Sequence, residues 1–218
     1  RSILNPLFPA SGGSRALIGH FLPALIFGAL AEVMPDRLMA GTGSPLWCVN
    51  LAGLKPDGKP FANLFFFNGG MGANYQSDGQ NCMSWPSNIS STPTEVIEQL
   101  APMRIHRRGF LPNSGGEGRY RGGLGQEVEF EFLNETPAAL AMLAERTKHS
   151  APGIAGGGEG SLGRLELNGE AVDPKAQHIV KQGDRLLIAT PGGGGYGRVQ
   201  DRDDADKSRD AILEYSEG

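Results

Sequence analysis

The chain has 218 residues, a formal net charge of −4, and 39% hydrophobic against 20% charged residues. That length holds one large or two small domains with a real core, and the modest charge excludes a broad basic surface for nucleic acid. With 33 Gly and 15 Pro, the composition stops short of low-complexity disorder but predicts many tightly routed loops.

Residues 1–13 (RSILNPLFPASGG) read as an extended lead-in punctuated by Pro and Gly. Ser14 is placed to cap a helix over about 15–34, with Leu17, Phe21, Leu25, Phe27 and Leu30 apolar and a kink or break at Pro23. The apolar run 16–31 is shorter than the roughly 20 residues of a membrane span, and it contains His20, Pro23 and two glycines. It also imitates a signal-peptide core. The expectation is a buried core helix, with His20 a satisfied core histidine.

Residues 46–51 (LWCVNL) read as a buried strand, Pro56-Asp57-Gly58-Lys59 as a hairpin turn, and 62–67 (ANLFFF) as the returning strand. A glycine loop follows at 68–79 (NGGMGANYQSDG). It lacks the Gly-Lys-Ser/Thr of a phosphate loop and fails the dinucleotide fingerprint, so it is not expected to bind a nucleotide by itself. Asp78 stands either as a general base or metal ligand, or as a turn residue before Gly79. Thr92-Pro93-Thr94-Glu95 has the form of a capping box opening a short helix over 93–100.

Residues 103–111 (MRIHRRGFL) read as a strand with one wet face, placing His106 between Arg104 and Arg107 as a catalytic imidazole or as a surface group. The stretch 113–125 (NSGGEGRYRGGLG) sets Arg119, Tyr120 and Arg121 among six glycines. It is either a tight structural turn or part of a ligand or subunit site where two guanidiniums meet anionic groups. Strict alternation over 126–133 (QEVEFEFL) marks a strand whose Glu127, Glu129 and Glu131 form a solvated acidic face. Residues 138–145 read as a further strand, 152–163 as a third glycine loop, and Asn168-Gly169 as a type I′ hairpin turn. A strand at 185–190 leads into a fourth glycine loop at 191–197, and the charged stretch 201–218 is a peripheral helix or a frayed tail. Cys48 and Cys82 fit reduced, buried thiols of a cytoplasmic protein, and no Cys/His spacing suggests zinc. These elements add up to an α+β, β-rich fold: mixed sheets with Gly-rich loops and a few short helices.

Several stretches together resemble the C-terminal portion of the hydantoinase B/oxoprolinase family. They are Leu4-Asn5-Pro6, Gly28-Ala29-Leu30-Ala31 with Pro35-Asp36-Arg37, Gly69-Gly70-Met71-Gly72-Ala73 with Asp78-Gly79, Pro93-Thr94-Glu95-Val96, 114–125 (SGGEGRYRGGLG) and 190–197 (TPGGGGYG). The resemblance makes residues 1–200 part of a larger B-type subunit, with 201–218 a charged C-terminal tail. It implies an ATP-dependent enzyme opening cyclic amides such as hydantoins or pyroglutamate, or a related ketone carboxylase. ATP and Mg2+ are expected on an A-type partner subunit, any divalent metal on the absent N-terminal half, and none on this chain alone. Expected partners are that A-type subunit, the N-terminal half and a small cyclic amide, with neither nucleic acid nor membrane. The B portion is expected to exclude water and stabilise oxyanion charge, and glycine-loop amides qualify as donors because no Cβ blocks approach. The expected catalytic residues are Asp78, Arg119 and Arg121; the expected substrate-binding residues are Gly70, Gly72, Gly116, Tyr120 and His106. A non-catalytic assembly module is the competing expectation. Two departures from the family pattern stand out: Asn113 where Asp is usual, and Met71 where Trp is common.

Overall fold

In the computed structural model, residues 7–9, 15–55, 57–83 and 85–216 are described, with backbone alone for 15–17. The period-two pattern of 126–132 does what alternation requires in a half-buried strand. In β4 (Gln126–Phe132), Val128, Phe130 and Phe132 are buried and the three glutamates lie on the opposite, wetter face. The other strands are β1 (Trp47–Leu54), β2 (Pro60–Phe67), β3 (Met103–Phe110), β5 (Ala138–Leu143), β6 (Arg164–Leu167), β7 (Glu170–Ala171), β8 (Gln177–Val180) and β9 (Arg185–Ala189). They form a sheet of order β2-β1-β5-β8 and a second of order β3-β4-β9-β6-β7. Every ladder between them is antiparallel.

The two sheets bury their inner faces against each other, as a sandwich must. Trp47, Val49, Leu51, Phe65, Phe67 and Leu140 come from one sheet; Val128, Phe130, Phe132, Leu186 and Ile188 come from the other. Phe67 and Phe130 meet edge to face across the interface, with ring centroids 5.4 Å apart. Fully burying one such side chain stabilises by about 1.5–3 kcal/mol, so this layer is the main apolar contribution to the fold. Helix α2 (Thr94–Leu100) closes one side by inserting Ile97.

The two hairpins have the predicted turn chemistry. Gly58 takes a φ of +79°, and Asp57 accepts from the Lys59 amide at 3.1 Å. Asn168 and Gly169 have φ values of 54° and 83°, as a type I′ turn demands. The ladder registers have a further consequence. Trp47, Phe67 and Leu143 fall at one end of the first sheet, and Phe110, Gln126, Ala189 and Arg164 at one end of the second. All four glycine-rich loops leave or enter the sandwich through these residues, so they gather at a single end.

Three expectations need correction. No capping box forms at α2: Pro93 occupies the N-cap position without a side-chain cap, and the Glu98 carboxylate instead accepts from the Ile105 amide at 2.8 Å. Helix α1 (Arg15–Leu30) runs continuously through Pro23. It lies on the surface rather than in the core, with Leu25 and Ile26 exposed. Strand β8 carries no clear period-two signal and was not foreseen. The charged C-terminal stretch forms α3 (Asp204–Ile212), capped by Asp203, whose carboxylate accepts from the Ala205 amide. Among the described residues no helix is long and apolar enough to cross a membrane. The expected lead-in at 1–13 lies mostly outside the described residues.

Candidate functional site

The glycine loops pack on one another backbone to backbone. Gly70 donates its amide to the Pro191 carbonyl, Gly123 to Met71, Gly193 to Gly123, Gly116 to Gly193, and Gly194 to Gly41, all at 2.8–2.9 Å. The segment before β1 joins the layer through Gly43, which donates to Gly70 at 2.8 Å. A Cβ built on Gly70 overlaps the Gly123 carbonyl oxygen and sits 2.7 Å from the Gly193 nitrogen. Glycine is required here for close approach between chains. The layer is tied to the sandwich by a buried polar knot: Gln126 donates to the Asn68 carbonyl at 3.0 Å, and the Thr190 hydroxyl donates to the same oxygen at 2.9 Å.

This packing alters the expected role of three residues. Gly70, Gly72 and Gly116 lie buried in the layer. The amides of Gly70 and Gly116 are spent on neighbouring loops, and a Cβ on Gly72 would overlap the Ala40 carbonyl. Amides committed in this way do not cradle a phosphate or an oxyanion.

Asp78 and Arg121, by contrast, do converge, and Arg119 joins them only through its backbone carbonyl. Asp78 accepts from the Arg121 amide at 2.7 Å and receives both ends of the Arg202 guanidinium at 2.8 and 2.9 Å. Arg202 also donates to the Arg119 carbonyl at 3.2 Å and to Asp210 at 2.6 Å. Asp210 in turn lies 3.5 Å from Nε of Arg121. Arg202 and Asp210 are almost wholly buried, with side chains 7% and 5% exposed. Burial by itself works against the charge on Asp78, but the Arg202 hydrogen bonds, the Arg121 amide and both guanidinium charges together hold its carboxyl below the usual carboxylate range. Arg202 is likewise opposed by burial and held more basic than usual by its two carboxylates. A carboxylate gripped on both oxygens is a weak base. The geometry of Asp78 is that of a structural ion pair joining the second glycine loop to α3.

A pocket of about 240 Å3 opens beside this cluster, between the 113–121 loop and α3, lined by Asn113, Arg121, Arg202, Lys207, Asp210 and Tyr215 among others. The Arg121 guanidinium lies 5.2 Å from the Tyr215 ring centroid, a cation–π contact. One oxygen of Asp210, Oδ1, is buried without a hydrogen-bond partner. The lining offers cations for an anionic group and two carboxylates, Glu117 and Asp210, for N–H donors, and it contains neither His nor Cys. This is binding chemistry.

Tyr120 exchanges both backbone hydrogen bonds with Tyr196 at 2.9 Å, and the Arg119 guanidinium sits 5.3 Å from the Tyr120 ring centroid. His106 lies apart from the cluster in sequence and structure: it is on β3 beside a register shift, with Nε2 2.6 Å from the Glu131 carboxylate on β4. The other strand glutamates are also matched, Glu127 with Arg107 and Arg164, and Glu129 with Arg185. Among the described residues no group of three or more His, Cys, Asp or Glu is arranged to hold a metal ion. Asn113 takes a φ of 57°, a conformation that Asn and Asp both tolerate, so the departure from Asp is accommodated locally. Met71 enters the layer through its backbone, donating to Gln80 and accepting from Gly123. Arg202, Asp210 and Tyr215 were missed by sequence reasoning; their only signal was an Arg inside an acidic tail.

Comparison with known proteins places this architecture. A family model described as Hydantoinase B/oxoprolinase matches residues 1–199. The chain is 36% identical over 145 residues to 5-oxoprolinase 1 of Arabidopsis thaliana, an overlap of 56% of this chain and 11% of that protein. It superposes on the crystal structure of the ATP-dependent caprolactamase of Pseudomonas jessenii with a TM-score of 0.63 and 26% identity, covering 87% of this chain and 35% of that one. An acetone carboxylase in its nucleotide-free form shares the fold, with a TM-score of 0.77 at 18% identity over 97% of this chain and 34% of that one. The chain thus spans about a third or less of the length of each protein it resembles.

Proposed function

This chain belongs to the hydantoinase B/oxoprolinase family, and from that premise we propose that it forms part of a B-type subunit of an ATP-dependent cyclic-amide hydrolase. The observation that carries the reading is the family match across 1–199, joined to the structural likeness to an ATP-dependent caprolactamase. In the proposed complex an A-type partner binds ATP and Mg2+, and the remainder of the B-type subunit completes the cavity. The complex is placed in the cytoplasm. Phosphorylation of the amide oxygen by ATP on the partner releases ADP; water then adds to the activated carbon, the C–N bond breaks with the nitrogen taking a proton, and a second water releases phosphate to leave the carboxylate.

This chain's share of that work is positional. The glycine layer is a rigid platform whose amides satisfy one another, so it holds the Arg119–Arg121 segment at a fixed place. Arg121 is the residue proposed to meet an anionic group, from within the small pocket beside α3. Residues 1–200 are proposed as the family domain and 201–218 as an appended segment that braces it through Arg202 and Asp210.

A second reading is favoured by one specific observation. Because the amides of Gly70, Gly116, Gly123, Gly193 and Gly194 are consumed internally, the chain suits a non-catalytic assembly module equally well in its geometry. Arg121→Ala in the reconstituted complex separates the two readings. ATP-dependent opening of hydantoin, 5-oxoproline or caprolactam is measured beside complex assembly by light scattering. Turnover lost with assembly intact supports a role in the reaction, and turnover lost only together with assembly supports the module. Consumption of acetone and bicarbonate in place of every cyclic amide would overturn the hydrolase assignment in favour of a carboxylase.

A further inference from the structure

Helix α1 has no charged side chain between Ala16 and Leu30, and its apolar residues are spread round the helix rather than confined to one stripe. A helix of that kind normally lies in an interior. Here only one side is covered. Phe27 stacks near Trp85 at 5.6 Å and, with Ala31, packs on Leu38, Ala40 and Ile154. Phe21 carries the Arg146 guanidinium 5.2 Å above its ring.

The neighbouring face is exposed among the described residues. Ile18, Leu25 and Ile26 follow the seven- and eight-residue spacing that keeps side chains on one helical face, and Leu30 lies four residues beyond Ile26 at its edge. Leu25 and Ile26 are 67% and 57% exposed, and Val33 in the following turn reaches 77%. Together with Ile18, Leu30 and Met34 they expose on the order of 500 Å2 of apolar surface, the size of patch that marks an interaction site. In the sequence the stripe is flanked by Arg15 before it and by Glu32, Asp36 and Arg37 after it.

We propose that this face of α1 docks the polypeptide supplying the part of the B-type subunit that this chain does not span. The occupant is argued from length. The caprolactamase chain is matched by 87% of this chain yet only 35% of its own length is accounted for. The remaining two-thirds of such a subunit must pack somewhere. An uncharged helix face fits the apolar, permanent kind of contact found within one folded unit. A bilayer is a poorer occupant, because 16 residues of helix fall short of the roughly 20 needed to span it. The proposal rests on family membership and not on the reaction assigned above.

Photo-crosslinking tests it. p-Benzoylphenylalanine is placed at position 25 of the full chain and, as a control, at exposed Glu170, and the co-purified complex is irradiated and sequenced by mass spectrometry. Expected are cross-links from position 25, and none from position 170, to a polypeptide of the hydantoinase B/oxoprolinase family lying outside this chain. The double variant Leu25→Glu, Ile26→Glu should lower recovery of that polypeptide at least tenfold while leaving the circular dichroism spectrum of this chain unchanged. Cross-links to a second copy of this chain, to an A-type subunit, or to no peptide with the chain bound on phosphatidylcholine vesicles would each overturn the proposal. A complex that keeps the position-25 cross-links but opens no cyclic amide would refute the proposed reaction and leave the docking face intact.

Discussion

Replacing Gly70 by Ala isolates what the glycine layer does. Gly70 does not adopt a positive φ, so the backbone conformation itself suits alanine, and only space is at issue. The added methyl overlaps the Gly123 carbonyl oxygen and stands 2.7 Å from the Gly193 nitrogen, both of them backbone atoms that cannot rotate away. Relief requires the loops to separate, at an overpacking cost of about 1–3 kcal/mol. Separation also strains the hydrogen bonds from Gly70 to Pro191 and from Gly43 to Gly70, and each buried bond left unmade costs about 1–3 kcal/mol more. Loss of unfolded-chain entropy works the other way by about 0.4–1 kcal/mol. With one of the two bonds lost, the central values sum to a net destabilisation of about 3 kcal/mol, within a range of about 1–6 kcal/mol. For a chain of this size that lowers Tm by roughly 10 °C, at about 2–4 °C per kcal/mol. Gly109→Ala is the matched control, since its Cβ meets nothing within 4 Å and it lies in the exposed part of β3. Differential scanning fluorimetry of the two variants against the parent measures the contrast. A Gly70→Ala Tm within about 2 °C of the control would refute close approach as the reason for glycine there.

Asp78→Asn removes one of the two carboxylates on Arg202; because Asp210 keeps Arg202 paired, the loss should be on the order of 2–3 kcal/mol, below the range for a fully stranded buried charge, and hydrogen exchange should show α3 loosened first. With its folded pKa depressed, Asp78 contributes stability that is present above its unfolded value of 3.8 and is lost as pH falls towards the folded value, so the gap between parent and Asp78→Asn should close in acid. Glu145 is the opposite case: burial raises its carboxyl, one oxygen has no partner, and its favourable contribution is lost as pH rises above the unfolded value of 4.5 and through the folded one. Glu145→Gln should therefore raise Tm at pH 7 and have a smaller effect at pH 4, and an unchanged or lowered Tm at pH 7 would contradict that assignment. Burial pushes the Cys48 thiol up to about 11 and the Cys82 thiol up to about 12, so at pH 8 both should react with a disulfide reagent more than ~100-fold slower than free cysteine, whose pKa is about 8.5, and unfolding in guanidinium should restore normal rates.

The sandwich was legible because each of its central strands states its own face. Val128, Phe130 and Phe132 against Glu127, Glu129 and Glu131 fix both the element and its orientation. Asn168-Gly169 names its turn for an equally local reason, since few other pairs accept two positive φ values. Strand β8 was illegible because four residues at a sheet edge, with only Val180 buried, leave no periodic record. Helix α1 was legible as a helix and misread as buried, because an apolar sequence reports the surroundings it needs and not which of them is present. Arg202 and Asp210 were hidden for a different reason. Arg202 bridges Asp210 to Asp78, 124 residues away, and nothing in a charged tail distinguishes a buried guanidinium from a solvated one.

The glycines were the hardest to interpret, since the same residue serves a ligand loop and a close-packed backbone. What separates the two is where the amide points, and no sequence records it. In this chain the amides of Gly70, Gly116, Gly123, Gly193 and Gly194 all point at carbonyls of other loops. A layer built in this way cannot yield locally, because moving one strand breaks bonds to its neighbours on either side. It can, however, hold what sits at its rim. Arg119 is exposed and Arg121 largely buried, its side chain 12% exposed, on a segment whose flanking glycines are locked, and Arg121 is further fixed by Asp210 and Tyr215. On the proposed function, rigid placement of a cation rather than amide donation is the contribution this chain makes.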